Sequence, residues 1–72
     1  MEEFEKFYVE EAVKSIKTEL GILRENPLPD REHVEGLISW IRLGVDSGKF
    51  TLKELGTSSL ELYHFSLLLL TH

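Results

Sequence analysis

From Leu62 to the last residue the chain reads Leu-Tyr-His-Phe-Ser-Leu-Leu-Leu-Leu-Thr-His, with no acidic side chain, lysine or arginine in it. Ser58 and Glu61 stand just ahead at the spacing of a capping box, so the segment reads as a helix over about 59–70. On such a helix Leu60, Tyr63, Leu67 and Leu70 share one face. Leu62, Phe65 and Leu69 share another, with Leu68 between them and the polar side. A helix that is apolar nearly all round must be covered nearly all round. The run is far shorter than the roughly 20 residues that span a bilayer, so the cover has to be protein.

Little chain is left to provide it. Seventy-two residues allow one domain, 1–72, and a chain this short buries only about 60% of the surface its unfolded form exposes. Small scaffolds compensate with disulfides, a metal, good helix packing or a partner subunit. The absence of cysteine excludes disulfides and thiolate metal sites and fits a reducing compartment. The acidic start, Met-Glu-Glu-Phe-Glu, lacks the basic region and apolar core of a secretory signal, so a soluble, cytoplasmic protein is expected.

The remaining segments are punctuated as helices. Val9, Val13, Ile16, Leu20 and Leu23 mark one stripe of a first helix over about 2–25, and Phe4, Tyr8 and Ala12 extend an adjacent one. Glu2–Lys6 and Glu10–Lys14 are i,i+4 pairs in the favourable order. Asn26-Pro27-Leu28-Pro29 ends that helix, because proline lacks the amide hydrogen and restricts its predecessor. Asp30 stands where an N-cap belongs, opening a second helix over about 31–46 whose apolar face is Val34, Leu37, Ile38, Ile41 and Val45. Gly48 is placed to close it in the left-handed conformation. Thr51 and Glu54 form a second capping box, and Phe50 and Leu55 a hydrophobic staple, which predicts a short helix over about 52–55 ended by Gly56. The fold expected is all-α: two long helices, one short helix and the apolar C-terminal helix.

Two helices and a short turn shield one broad side of the last helix. The uncovered remainder predicts a homodimer, with Leu62, Phe65, Leu68 and Leu69 in the interface. On the second helix Gly36, Trp40 and Gly44 line one side, which suggests a stripe where another backbone approaches while the indole of Trp40 anchors it.

Charge and motif content narrow the function classes. The net charge of −5, from 13 acids and 8 lysines and arginines, works against binding to phosphate backbones or anionic membranes. The negative excess lies in the first helix, where Glu2, Glu3, Glu5, Glu10 and Glu11 suit the positive end of the dipole. No G-x-S-x-G elbow and no phosphate-cradling glycine loop occurs, so no catalytic residue and no cofactor is assigned. Glu61 and His64 have the Glu-x-x-His spacing of carboxylate-bridged metal bundles, echoed by Asp30 and His33, but Asp30 and Glu61 already have roles as caps. The 51–70 segment has the outline of a helix-turn-helix, yet the start of its second helix carries no cation where one would meet phosphate. These observations predict a non-enzymatic, acidic helical module that dimerises and binds another protein. DNA binding through 51–70 and metal binding through Glu61 and His64 stand as alternatives.

Overall fold

The structure is a computed structural model that describes the backbone of residues 2–26 and 30–71 and the side chains of 5–26 and 30–70. The Pro27-Leu28-Pro29 break, Phe4, the Glu2 side chain of the Glu2–Lys6 pair and His72 lie outside the described residues. Among the described residues the chain is all-helical, with α1 Glu2–Glu25, α2 Arg31–Asp46 and α3 Ser59–Thr71, and it has no strands.

Helix α2 begins where Asp30, in an extended conformation, accepts a hydrogen bond from the Glu32 amide at 3.1 Å. This satisfies one of the donors that a helix start leaves unpaired. It ends at Gly48, whose φ of 75° lets the Gly48 amide bond Val45 O at 3.1 Å and the Lys49 amide bond Gly44 O at 2.8 Å. That pattern is the Schellman closure, and a left-handed glycine makes it without steric cost. Glu19 pairs with His33 and Glu5 with Lys49, so the start of α1 lies beside the end of α2 and the two helices run antiparallel.

The short helix expected at 52–55 is instead a single hydrogen-bonded turn. Its cap forms as read: the Glu54 amide donates to Thr51 Oγ1, and Thr51 Oγ1 donates to the Glu54 carboxylate, both at 3.2 Å. Leu55 N then bonds Thr51 O at 3.2 Å. Gly56, at φ 69°, closes the turn at once, with Thr57 N on Leu52 O at 3.1 Å. The nucleus is built and stopped within one turn, so nothing propagates. Among the described residues there are therefore three helices, where four are expected from the sequence. The staple residues Phe50 and Leu55 are nevertheless both buried.

The core joins Ile16, Leu20 and Leu23 of α1 to Val34, Leu37, Ile38 and Ile41 of α2, with Phe50 and Leu55 from the connecting segment and Leu62 and Phe65 of α3. No polar or charged residue is buried among the described residues. Val9 and Val13 pack only at the edge of this core, and Phe7 and Tyr8 are exposed. The first turns of α1 thus stay outside the core, and the molecule is elongated, 43 × 19 × 19 Å.

A polar clamp ties α1 to α3. Arg24 Nε and Nη2 donate to the two Glu61 carboxylate oxygens at 2.8 and 2.6 Å, and Nη2 also donates to Gly56 O at 2.8 Å. This fork-to-fork geometry is the strong form of a charge-assisted hydrogen bond. It draws the end of α1 onto the first turn of α3.

Candidate functional site

Among the described residues, two open apolar surfaces stand out. The first is the outer face of α3. Ser58 caps that helix, accepting from the Glu61 amide at 3.2 Å, and the cap sets the frame of the residues that follow. Leu62 and Phe65 then turn inward at 7% and 8% exposure, whereas Leu60, Tyr63 and Leu70 stand at 65%, 59% and 79%. Leu67 continues the outer stripe between Tyr63 and Leu70. Ser59 and His64 border it.

The face expected to meet a partner is therefore the one this chain buries against itself. Of the residues read as interface anchors, Leu62 and Phe65 belong to the chain's own core, Leu68 and Leu69 are half-buried against it, and Trp40 alone is exposed. The outer stripe Leu60, Tyr63, Leu67 and Leu70 takes their place as the open surface. Both faces are apolar enough to pack inward, so periodicity alone does not say which one does.

The second surface is a groove along the outside of the α1–α2 hairpin. A cavity of about 360 Å³ lies there between Tyr8 and Ala12 of α1 and Trp40 and Leu43 of α2, with Gly44 and Phe50 as its floor. Glu5 and Lys49, 3.5 Å apart, stand at one end. On the other side of Trp40 lies a second cavity of about 310 Å³ lined by Glu19, Glu32, His33, Gly36 and Leu37. Trp40 is common to both and marks the middle.

The glycine stripe divides here. At Gly44 a methyl group would overlap the Phe50 ring, so this glycine admits a close approach, but by a side chain of its own chain. Gly36 has open space where its side chain would be. The stripe is thus half internal packing and half free groove wall. The lining residue Leu43 had one signal in the sequence, an apolar side chain lying off the buried stripe of α2. That Phe50 folds back onto Gly44 had none.

The polar candidates are engaged structurally. Glu61 holds Arg24 and also accepts from the Thr57 hydroxyl, and Arg24 holds its carboxyl below the usual carboxylate range against the opposing effect of partial burial. The same hydrogen bond raises the Arg24 pKa. His64 stacks edge-on to Tyr63, and Asp30 caps α2. Among the described residues no three histidine or carboxylate side chains gather as a metal would need. The helix-turn-helix outline lacks its first helix, because 52–56 is a turn, and the exposed face of its second is leucine and tyrosine. No described helix is long and apolar enough to cross a membrane.

Comparison with known proteins adds no family: no family model, no curated protein and no solved structure matches the chain.

Proposed function

We propose that this chain is a non-enzymatic protein–protein interaction module of the cytoplasm, an adaptor, small regulator or accessory subunit, that self-associates as a homodimer through α3. One observation carries the reading. Within a single copy the outer stripe of α3, Leu60, Tyr63, Leu67 and Leu70, is left open along about 15 Å of helix. A second α3 is a natural cover for it. In a two-fold arrangement the stripe meets itself, forming an apolar centre with Ser59 and His64 at the rim. Cysteine-free composition suits a reducing compartment. An interface built from one helix face is small, below about 1,200 Å², and such interfaces are weak. The association is accordingly concentration-dependent.

The test is solution mass by light scattering over a range of concentrations, for the native chain and for a variant carrying Leu60→Glu and Leu70→Lys. Both changes suit the helix dipole at their own end of α3 and touch exposed positions, so each copy stays folded. Mass rising to that of a dimer in the native chain, and a helical monomer in the variant, is the expected result. A native chain that remains monomeric at every concentration removes the self-association. A variant that dimerises unchanged moves the interface off α3.

A further inference from the structure

We propose that the groove between α1 and α2 is the seat of a basic amphipathic helix supplied by a partner protein; this names the partner class for the interaction module proposed above and rests on that reading. Three features of the groove fit that occupant. Taken together, the two cavities on either side of Trp40 match the length of a helix segment: from Glu5 to Glu19 α1 rises about 21 Å, or about four turns. The groove walls are apolar, with Tyr8 and Trp40 standing opposite and the Phe50 ring below, which is how helix-binding grooves receive side chains at i, i+3/i+4 and i+7. Above Gly36 the space is open, so an incoming backbone can lie close to α2 beside the indole.

The charge of the rim selects the partner. Glu5, Glu19 and Glu32 line the two cavities, and Glu11 follows Tyr8 by one turn on α1. Against them stand Lys49, already beside Glu5, and His33, already beside Glu19. A helix with lysine or arginine flanking its apolar stripe complements this rim, and an acidic one is repelled. A second copy does not meet the requirement. The outer stripe of α3 carries no cation, and the lone acid of that helix, Glu61, is held by Arg24. The apolar stripe of α2, and that of α1 from Ile16 onward, are turned into the core, and the exposed aromatics at the start of α1, Phe7 and Tyr8, stand in a net acidic stretch with Glu5, Glu10 and Glu11. The groove and the α3 stripe are therefore two sites, one for a basic partner and one for self-association.

Trp40 is the only tryptophan and sits at the centre of the groove, so it reports occupancy directly. The probe is a synthetic helical peptide of about 15 residues with leucines at the anchor positions and lysines on both flanks. A control peptide carries glutamate in place of each lysine. Titration of the full chain with the lysine peptide shifts Trp40 emission to the blue with micromolar affinity. Leu43→Lys, at an exposed rim position, weakens that binding about tenfold or more, and raising salt from about 0.05 to 0.5 M weakens it several-fold. The glutamate peptide gives no shift. Absence of a blue shift with the lysine peptide overturns the proposal, as does equal binding of the two peptides. So does binding that survives Leu43→Lys but is lost in the Leu60→Glu, Leu70→Lys variant, since the peptide then sits on α3. Light scattering on the same samples separates the two readings. A dimer that ignores the peptide overturns the groove alone, and a monomer that binds it through Trp40 overturns the self-association alone.

Discussion

Helices α2 and α3 solve the same packing problem with opposite amounts of information. In α2 the apolar residues Val34, Leu37, Ile38 and Ile41 are buried, while Arg31, Glu32, Glu35 and Arg42 are exposed. Only one rotation of that helix about its axis is acceptable. In α3 the buried pair Leu62 and Phe65 is backed by an outer stripe that is just as apolar. Either face would satisfy the core, so for α3 the hydrophobic effect decides that the helix is buried and scarcely decides how. Orientation there falls to the cap at Ser58 and the clamp between Arg24 and Glu61.

The largest effect that tests this contrast comes from truncating the two faces of α3 separately. Leu62→Ala leaves a cavity in the core and costs about 2–5 kcal/mol. A single core in so short a chain rarely supplies more than about 3–5 kcal/mol, so this variant stands at the edge of unfolding. Leu60→Ala, on the outer stripe, changes the stability of a dilute sample by no more than about 0.5 kcal/mol. Urea unfolding followed by circular dichroism measures both. Equal losses from the two substitutions would mean that α3 has no inner and outer face in solution.

A smaller and opposite pair of effects probes α2. Gly44→Ala pushes a methyl group into the Phe50 ring and costs about 1–3 kcal/mol through overpacking. Gly36→Ala meets nothing and stabilises by up to about 1 kcal/mol, the difference in helix propensity. Thermal melts of the two variants should therefore move in opposite directions. If both rise, Phe50 does not rest on Gly44, and the groove has lost its floor.

These contrasts explain what was legible in the sequence. Caps and closures are local chemistry, so Asp30, Gly48, Thr51 with Glu54, and Ser58 announce where α2 and α3 begin and where segments end. The single turn at 52–56 reads as a helix because its cap is genuine, while its length is set by Gly56 arriving so soon. The inner face of α2 is readable because its charged residues all lie off the buried stripe, with Trp40 and Leu43 the exposed apolar exceptions. The inner face of α3 is not, because the signal that such segregation gives is absent. Arg24, which fixes it, lies in another helix, and nothing in the spacing of the chain connects Arg24 to Glu61. Phe50 on Gly44 is likewise a contact between a loop and a helix, so the sequence marks Trp40 but not the groove around it.

The smallest stability effect bears most directly on how α3 is oriented. Arg24 lowers the pKa of Glu61 in the folded chain, so the clamp's contribution is present above the ordinary glutamate pKa of about 4.3 and is lost as pH falls through the lowered folded value. Both groups are partly exposed, which limits the contribution to about 1 kcal/mol. Glu61→Gln should accordingly cost about that much at pH 7 and progressively less at an acidic pH, as native Glu61 takes up its proton. Urea midpoints at the two pH values check the sign. A cost that is equal at both would mean that the charge on Glu61 contributes nothing to stability. The clamp also disfavours the wrong rotation, because turning the outer stripe inward carries Glu61 away from Arg24. Amide resonances of α3 should therefore broaden or double in Glu61→Ala. Adding Leu60→Glu, which makes the outer stripe unfit for the core, should restore a single set. If Glu61→Ala alone keeps one sharp set, packing of Leu62 and Phe65 distinguishes the faces without help, and α3 is as well specified as α2.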